Sequence, residues 1–273
     1  KLIGDGSISG QTAWLEKPYL NTDNYGIPVY SDESMEKAIT FAKENNCQIS
    51  VHAMGGRAID RAIDRFYNED GFQYIDTQSV NVEGTEHKSK ENPVHRKIAV
   101  PRLRLEHLTE PGVNAMEKAA EKGFAFVCQP IFAYCEIETY LKNLGKDRIK
   151  GLYPFKSILD SGVKMCFSTD APATSWAVPS DPFSNLKSAV TKYAYEGTDI
   201  GQEQRIDIET AIRLYTKEAA EISGFPELGM IKEGYEAGFI VLSEDIFGID
   251  PMRIDEVNVE ETYIKGEKIY SIK

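Results

Sequence analysis

The sequence predicts an α/β fold with parallel strands, and three observations carry that reading. From Asp32 to Ser223, segments with apolar residues at helical spacing alternate with short β-branched or apolar runs. Several of those runs end in a polar residue able to do chemistry: His52, His107, Gln129 and Asp170. Beyond residue 238 the character changes to short strands separated by turns, which reads as a small β appendage. A chain of 273 residues with 41% apolar content can bury a sizeable core, as one large domain or a domain with an appendage.

Taken in order, residues 32–45 place Met35, Ala38, Ile39 and Ala42 on one helical face, with Ser31 or Asp32 available as N-cap. This helix feeds CQISVHAMGG, so His52 closes a strand. Residues 57–68 read as a helix, followed by a polar, exposed loop whose His87 and His95 belong to solvated surface. The run PRLRLEHLT then closes on His107. GVNAMEKAAEKG leads into FAFVCQP, and FKSILDSG into VKMCFSTDAP, where Asp170 precedes a loop rich in Pro, Ala and Ser. Helices are expected over 181–195 and 208–223, then the strands FIVL, VNVEETYIKG and EKIYSI, with Gly266 and Glu267 turning the last hairpin. Parallel strands joined by helices put every C-terminal strand end on one rim, so His52, His107, Gln129 and Asp170 are expected to converge.

Composition narrows the partners. With 43 acidic against 31 basic residues and a net charge of -12, the chain repels nucleic acid and anionic membranes and accepts a small neutral or cationic partner more readily. No apolar run approaches the roughly 18 to 20 residues that span a bilayer. Cys47, Cys128, Cys135 and Cys166 are widely spaced, three of them in apolar runs, and read as buried, reduced, cytosolic thiols. No targeting leader is readable from Lys1 onward. Neutral imidazoles with a carboxylate suit zinc or a similar first-row metal, and three ligands leave room for water. Two histidines and an aspartate at successive strand ends, in a chain with only four histidines, therefore point to a metal site made of His52, His107 and Asp170. Gln129 is either a substrate contact or a packing residue before Pro130. Trp176 and Phe183 would form an apolar wall, or pack at the surface.

The segments KLIGDGS, SVHAMGGRAID, RLEHLT, FVCQP, LGKDRIKGLYPFKSILDSGV, FSTDAP and ELGMIKEGYEAGFIVL, in this order over nearly the whole chain, resemble the amidohydrolase superfamily, in the branch called amidohydrolase 3 or YtcJ-like. The resemblance implies a TIM-type (β/α)8 barrel with a metal site at its C-terminal rim, and a small β-sandwich. Strands four to eight would lie in residues 1–225 and the closing sandwich strands in 226–273. It further implies hydrolysis of a non-peptide amide-type C–N bond in a small molecule, with one or two divalent ions, zinc or another. A homodimer is compatible with such a chain. Carried over by position, His52 and His107 match metal ligands of the fifth and sixth strands, and Asp170 the eighth-strand aspartate. Asp170 would serve both as ligand and as general base toward a metal-activated water. Lys1 matches a fourth-strand position where relatives hold a carboxylated lysine, an oxygen donor that a bare ammonium is not. It is either that or an unmodified lysine.

This sequence departs from the family pattern in three places. A first-strand His-x-His pair is absent, so the 273 residues read as a piece of a longer polypeptide. Gly238 replaces a frequent aspartate in the sandwich return, with little functional effect expected. Gly56 replaces an aspartate that would orient the His52 imidazole, which predicts weaker metal binding. Three functions remain open on the sequence: a hydrolase of N-acyl or N-formyl amides, a non-catalytic scaffold of the same fold, and a metal-dependent isomerase or lyase.

Overall fold

The computed structural model describes residues 1–69, 72–77, 96–225 and 227–272. After β1 (Leu2–Ile3) and a long loop, Ser31 caps α1 (Asp32–Glu44) by accepting from the Ser34 amide. Met35, Ile39 and Ala42 form the buried stripe of α1. Next come β2 (Ile49–Ala53) and α2 (Gly56–Phe66). Ala58, Ile59, Ala62, Ile63 and Phe66 bury one face of α2, at the three- and four-residue spacing of an amphipathic helix. Then β3 (Phe72–Thr77) pairs antiparallel with β4 (Arg96–Pro101), in register from Phe72↔Pro101 to Thr77↔Arg96. These strands correct the expectation of an unbroken polar loop: FQYIDT and RKIAVP mix charged and β-branched residues, which hides their alternation. His87 and His95 lie outside the described residues.

The elements that follow are β5 (Leu103–His107), α3 (Val113–Lys122), β6 (Ala125–Cys128), α4 (Ile131–Cys135), α5 (Ile137–Leu144), α6 (Lys146–Ile149), α7 (Phe155–Asp160), β7 (Lys164–Phe167), α8 (Pro182–Thr191), α9 (Ile208–Tyr215) and α10 (Lys217–Ser223). The chain closes with β8 (Phe239–Leu242), β9 (Val259–Ile264) and β10 (Glu267–Ser271).

Besides the β3–β4 pair, two sheets organise the described residues. The larger has the order β1-β2-β5-β6-β7 and every pair is parallel, with Ile3 opposite His52, Ala53 opposite His107 and Cys128 opposite Phe167. Val51, Leu103, Leu105 and Phe126 have no exposed surface, as expected of parallel strands covered on both faces. The smaller sheet is antiparallel, in the order β10-β9-β8, and Phe239 stacks on its cross-strand partner Tyr263 at 4.5 Å. Its hairpin turns on Lys265 and Gly266, at φ +52 and +77, one residue earlier than expected. Gly266 supplies a positive φ at no steric penalty.

Two expected helices are shorter than their periodicity suggests. The helix over 208–223 breaks at Thr216, whose hydroxyl donates back to the Ile212 carbonyl while Gly229 packs on the Thr216 carbonyl. The helix over 181–195 stops at Thr191 because Lys192 turns left-handed, at φ +51. All four cysteines are free, but Cys47 is exposed and Cys135 half-buried, so only Cys128 and Cys166 are the buried thiols expected. Among the described residues, no helix is long and apolar enough to cross a membrane.

Lys192 is only 1% exposed, and its Nζ donates to the Leu152 and Tyr153 carbonyls at 2.9 and 3.1 Å. Burial pushes its pKa down to about 7, against the opposing pull of Glu203 and Asp199. In the unfolded chain the ammonium keeps its proton to the ordinary value of 10.5, so between these limits the unfolded state binds more protons and native stability rises with pH. Lys192→Met removes this titration. In urea unfolding from about pH 7 to about pH 10, the wild type should gain on the variant by up to about 1.4 kcal/mol per pH unit. A difference that does not change with pH would overturn the assignment.

Candidate active site at the carboxyl ends of the parallel strands

Parallel register places His52 one residue before the end of β2 and His107 at the end of β5. The two imidazole centres lie 4.3 Å apart, edge to face, and the Phe132 ring stands 5.5 Å from His107. The His52 Nε2 lies 2.8 Å from the Gly6 carbonyl, which only accepts, so Nε2 carries the hydrogen and Nδ1 keeps a free lone pair. A Cβ at Gly6 would fall 2.0 Å from the Thr12 hydroxyl oxygen, so the close approach of this loop requires glycine.

His107 is 3% exposed and its Nδ1 has no hydrogen-bond partner. Burial, then the neighbouring His52 and Lys1, push its pKa down to about 3, with the Gln129 side chain pulling the other way. At neutral pH this imidazole is uncharged, the form that can donate a lone pair. His107 and Leu108 hold φ +79 and +54, a left-handed pair that L-residues rarely adopt. Asp170 is likewise left-handed, at φ +54. Burial raises the Asp170 pKa, Lys1 and His52 oppose the shift, and Glu106 adds to it.

Lys1, His52, His107 and Asp170 line one cavity of about 420 Å³, with Met54 and Phe132 as its apolar wall. Ser7, Ser9 and Glu136 complete the polar lining. Gln129 does not line it: the side chain is buried, donates to the Val127 carbonyl and the Ser168 hydroxyl, and leaves Oε1 without a partner. Trp176 instead packs on Tyr134 and Tyr195, and Phe183 is buried in the core. Larger in volume, at about 510 Å³, is a cleft lined by Arg205, Asp207 and Met252, which holds no histidine. The chemistry therefore favours the strand-end cavity over the bigger cleft.

Donor types and burial fit a divalent first-row cation: two uncharged or tautomer-fixed imidazoles, one of them with an orphaned buried nitrogen, and a carboxylate beside them. Among the described residues, however, no three His, Cys, Asp or Glu side chains are grouped closely enough to hold an ion together.

The amidohydrolase family model matches residues 1–270. The chain belongs to the amidohydrolase family. Among curated relatives, the putative amidohydrolase YtcJ of Bacillus subtilis is 28% identical over 275 residues, covering 99% of this chain and 46% of that protein. The N-substituted formamide deformylase of Arthrobacter pascens is 24% identical, covering 88% and 40%. An uncharacterized metal-dependent hydrolase from Pyrococcus furiosus is similar in structure, with a TM-score of 0.63, 26% identity, and coverage of 86% of this chain and 42% of that one. Its counterpart from Pyrococcus horikoshii aligns with a TM-score of 0.72 at 24% identity, over 92% and 45%. The chain spans about half the length of the curated relatives it matches.

In this chain, two features escape sequence reasoning. Asp5 has no exposed surface and accepts from the amides of Trp14, Met54 and Gly55 at 2.8, 3.0 and 2.8 Å, while its Oδ1 stands 3.5 Å from His52 Nε2. Burial pushes its pKa up while the three amides pull it down. The only sequence signal is its place between two close-packed glycines in LIGDGS. Glu136 sits at the junction of α4 and α5, where no periodicity marks it. The Gly56 expectation needs correcting. A Cβ there would meet Glu16 Cγ at 2.9 Å and the Glu110 carbonyl at 3.3 Å, whereas His52 is oriented by Gly6.

Asp5→Ala strands three buried amides, and should destabilise the protein by about 3 kcal/mol or more in urea unfolding, with Asp5→Asn losing less. A loss under about 1 kcal/mol for the alanine variant would show that the amides find other partners.

Proposed function

We propose that this chain carries part of a metal-dependent amidohydrolase centre that cleaves a non-peptide amide-type C–N bond, N-acyl or N-formyl, in a small molecule. The reading rests on one observation above the others: Lys1, His52, His107 and Asp170 share a cavity at the carboxyl ends of parallel strands. Two similar proteins support it by name, one an N-substituted formamide deformylase and the other a metal-dependent hydrolase. On this reading residues 1–225 supply strands four to eight of a (β/α)8 barrel and residues 226–273 strands of a β-sandwich, in keeping with relatives about twice as long. The free thiols support a cytoplasmic setting, and a homodimer is the assembly proposed.

His52, His107 and Asp170 would hold a divalent ion, zinc or another, and Lys1, if carboxylated, would add oxygen donors toward a second. Such an ion, when bound, lowers the pKa of a water and polarises a carbonyl. The rest belongs to the chain. His52 is held in one tautomer by Gly6, and burial keeps His107 uncharged. Asp170, its proton affinity raised by burial, accepts a proton at its carboxylate and delivers it to the leaving nitrogen. Met54 and Phe132 give the cavity an apolar wall beside the reacting bond. Gln129 braces the wall behind His107.

A second reading, a non-catalytic scaffold, is favoured by one observation, the lack of a grouped three-donor set among the described residues. Elemental analysis of the purified protein separates the two. The hydrolase should retain about one equivalent of divalent metal or more, release amine from a panel of N-acyl and N-formyl amines, and lose at least about tenfold in metal affinity on His52→Ala or His107→Ala. Less than one equivalent, with no amine released, would leave the scaffold.

A further inference from the structure

Glu136 stands in the same cavity and no step above uses it. One of its oxygens accepts from the Ser9 hydroxyl and the other from the Ser175 hydroxyl, the latter at 3.1 Å. Those serines come from different loops, one after β1 and one after β7, so the carboxylate is fixed from both sides. The Ser9 side is itself anchored, because the buried Asn143 donates to the carbonyls of Ile8 and Ser9 at 2.8 and 3.2 Å.

Each hydroxyl gives a single hydrogen, which leaves lone pairs on both oxygens and a whole negative charge unanswered. Among the described residues, no Lys, Arg or His nitrogen forms an ion pair with Glu136, although such pairs are numerous elsewhere on this chain. The Lys1 ammonium, in the same cavity, acts on Asp170 and His107 and forms no ion pair with Glu136 among the described residues. This half-buried carboxylate, fixed beside the apolar Met54 and Phe132, keeps acceptor capacity free for a cationic donor that enters the cavity. The net charge of -12 draws cations toward it.

We infer that Glu136 is a specificity-determining residue that receives an ammonium or similar cationic nitrogen at the end of the substrate remote from the scissile amide. The substrate class is then an N-acylated or N-formylated amine bearing a second, charged nitrogen. This rests on the reading of the cavity as an amide site. The inference adds a role for Glu136 without altering those of His52, His107 and Asp170.

N-acetylputrescine and N-pentylacetamide differ only by an ammonium in place of a terminal methyl. Calorimetric titration of the purified protein with each tests the proposal without relying on turnover. The wild type should bind N-acetylputrescine at least about tenfold more tightly than N-pentylacetamide, as a charge-assisted contact implies. Glu136→Gln should bring the two affinities to within about twofold while leaving that of N-pentylacetamide unchanged. A purely structural clamp would weaken both ligands equally. Equal affinities in the wild type, or a preference that survives Glu136→Gln, overturn the inference and leave the amide-site reading standing. Binding of neither ligand overturns both. The wild-type comparison stands even if the variant fails to fold.

Discussion

Because β1, β2, β5, β6 and β7 pair in parallel and in sequential order, the chain must leave each strand at the same edge of the sheet. Residues far apart in sequence then become neighbours through register alone. Ala53 opposite His107 and Ile3 opposite His52 bring the first loop, both imidazoles and the β5 exit together before any side chain chooses a partner. The helices serve this arrangement by covering the sheet, as α2 does with its Ala, Ile and Phe stripe, so the strands are mostly apolar, and the polar Ser50 and Glu106 within them bond each other.

Shared exit from the sheet does not by itself aim a side chain, and here the first loop does that work. Asp5 gathers the amides of Trp14, Met54 and Gly55, tying the β1 exit to the β2–α2 turn. Once that turn is fixed, the Gly6 carbonyl lies at hydrogen-bond distance from His52 and selects its tautomer. The same loop continues to Ser9 and, through Asn143, to α5, so the floor and one wall of the cavity form a single hydrogen-bonded unit. A buried carboxylate is costly alone, but three amide donors compensate it and make it a rigid anchor.

Much of this was legible in the sequence, for identifiable reasons. His52, His107 and Asp170 could be placed because each follows an apolar run bounded by a helical period, and periodicity is the strongest local signal a sequence holds. Glu136 and Asp5 could not, because one lies at a junction of two short helices and the other in a loop, where partners are set by tertiary contacts. The β3–β4 hairpin was obscured by charged residues in its strands, and the end of α8 by a lysine whose left-handed turn depends on carbonyls about forty residues away, at Leu152 and Tyr153. Gly56 misled for a related reason. Nearness in sequence to His52 suggested contact, whereas the helix directs that position toward Glu16 and Glu110.

The left-handed residues link these layers. His107, Leu108 and Asp170 each hold a conformation costing about 1 kcal/mol or more for an L-residue, so the surroundings must over-determine them. For His107 the restraint can be followed inward. Leu108 donates to the Ala53 carbonyl and is fully buried. Thr109 holds Tyr153 by both backbone and hydroxyl, and Tyr153, also left-handed, is capped by the buried ammonium of Lys192. The backbone that carries this imidazole is thus joined, through Thr109 and Tyr153, to a lysine in the core that does not line the cavity. Strain at the strand end and an unusual buried amine are two ends of one path of backbone and hydrogen bonds.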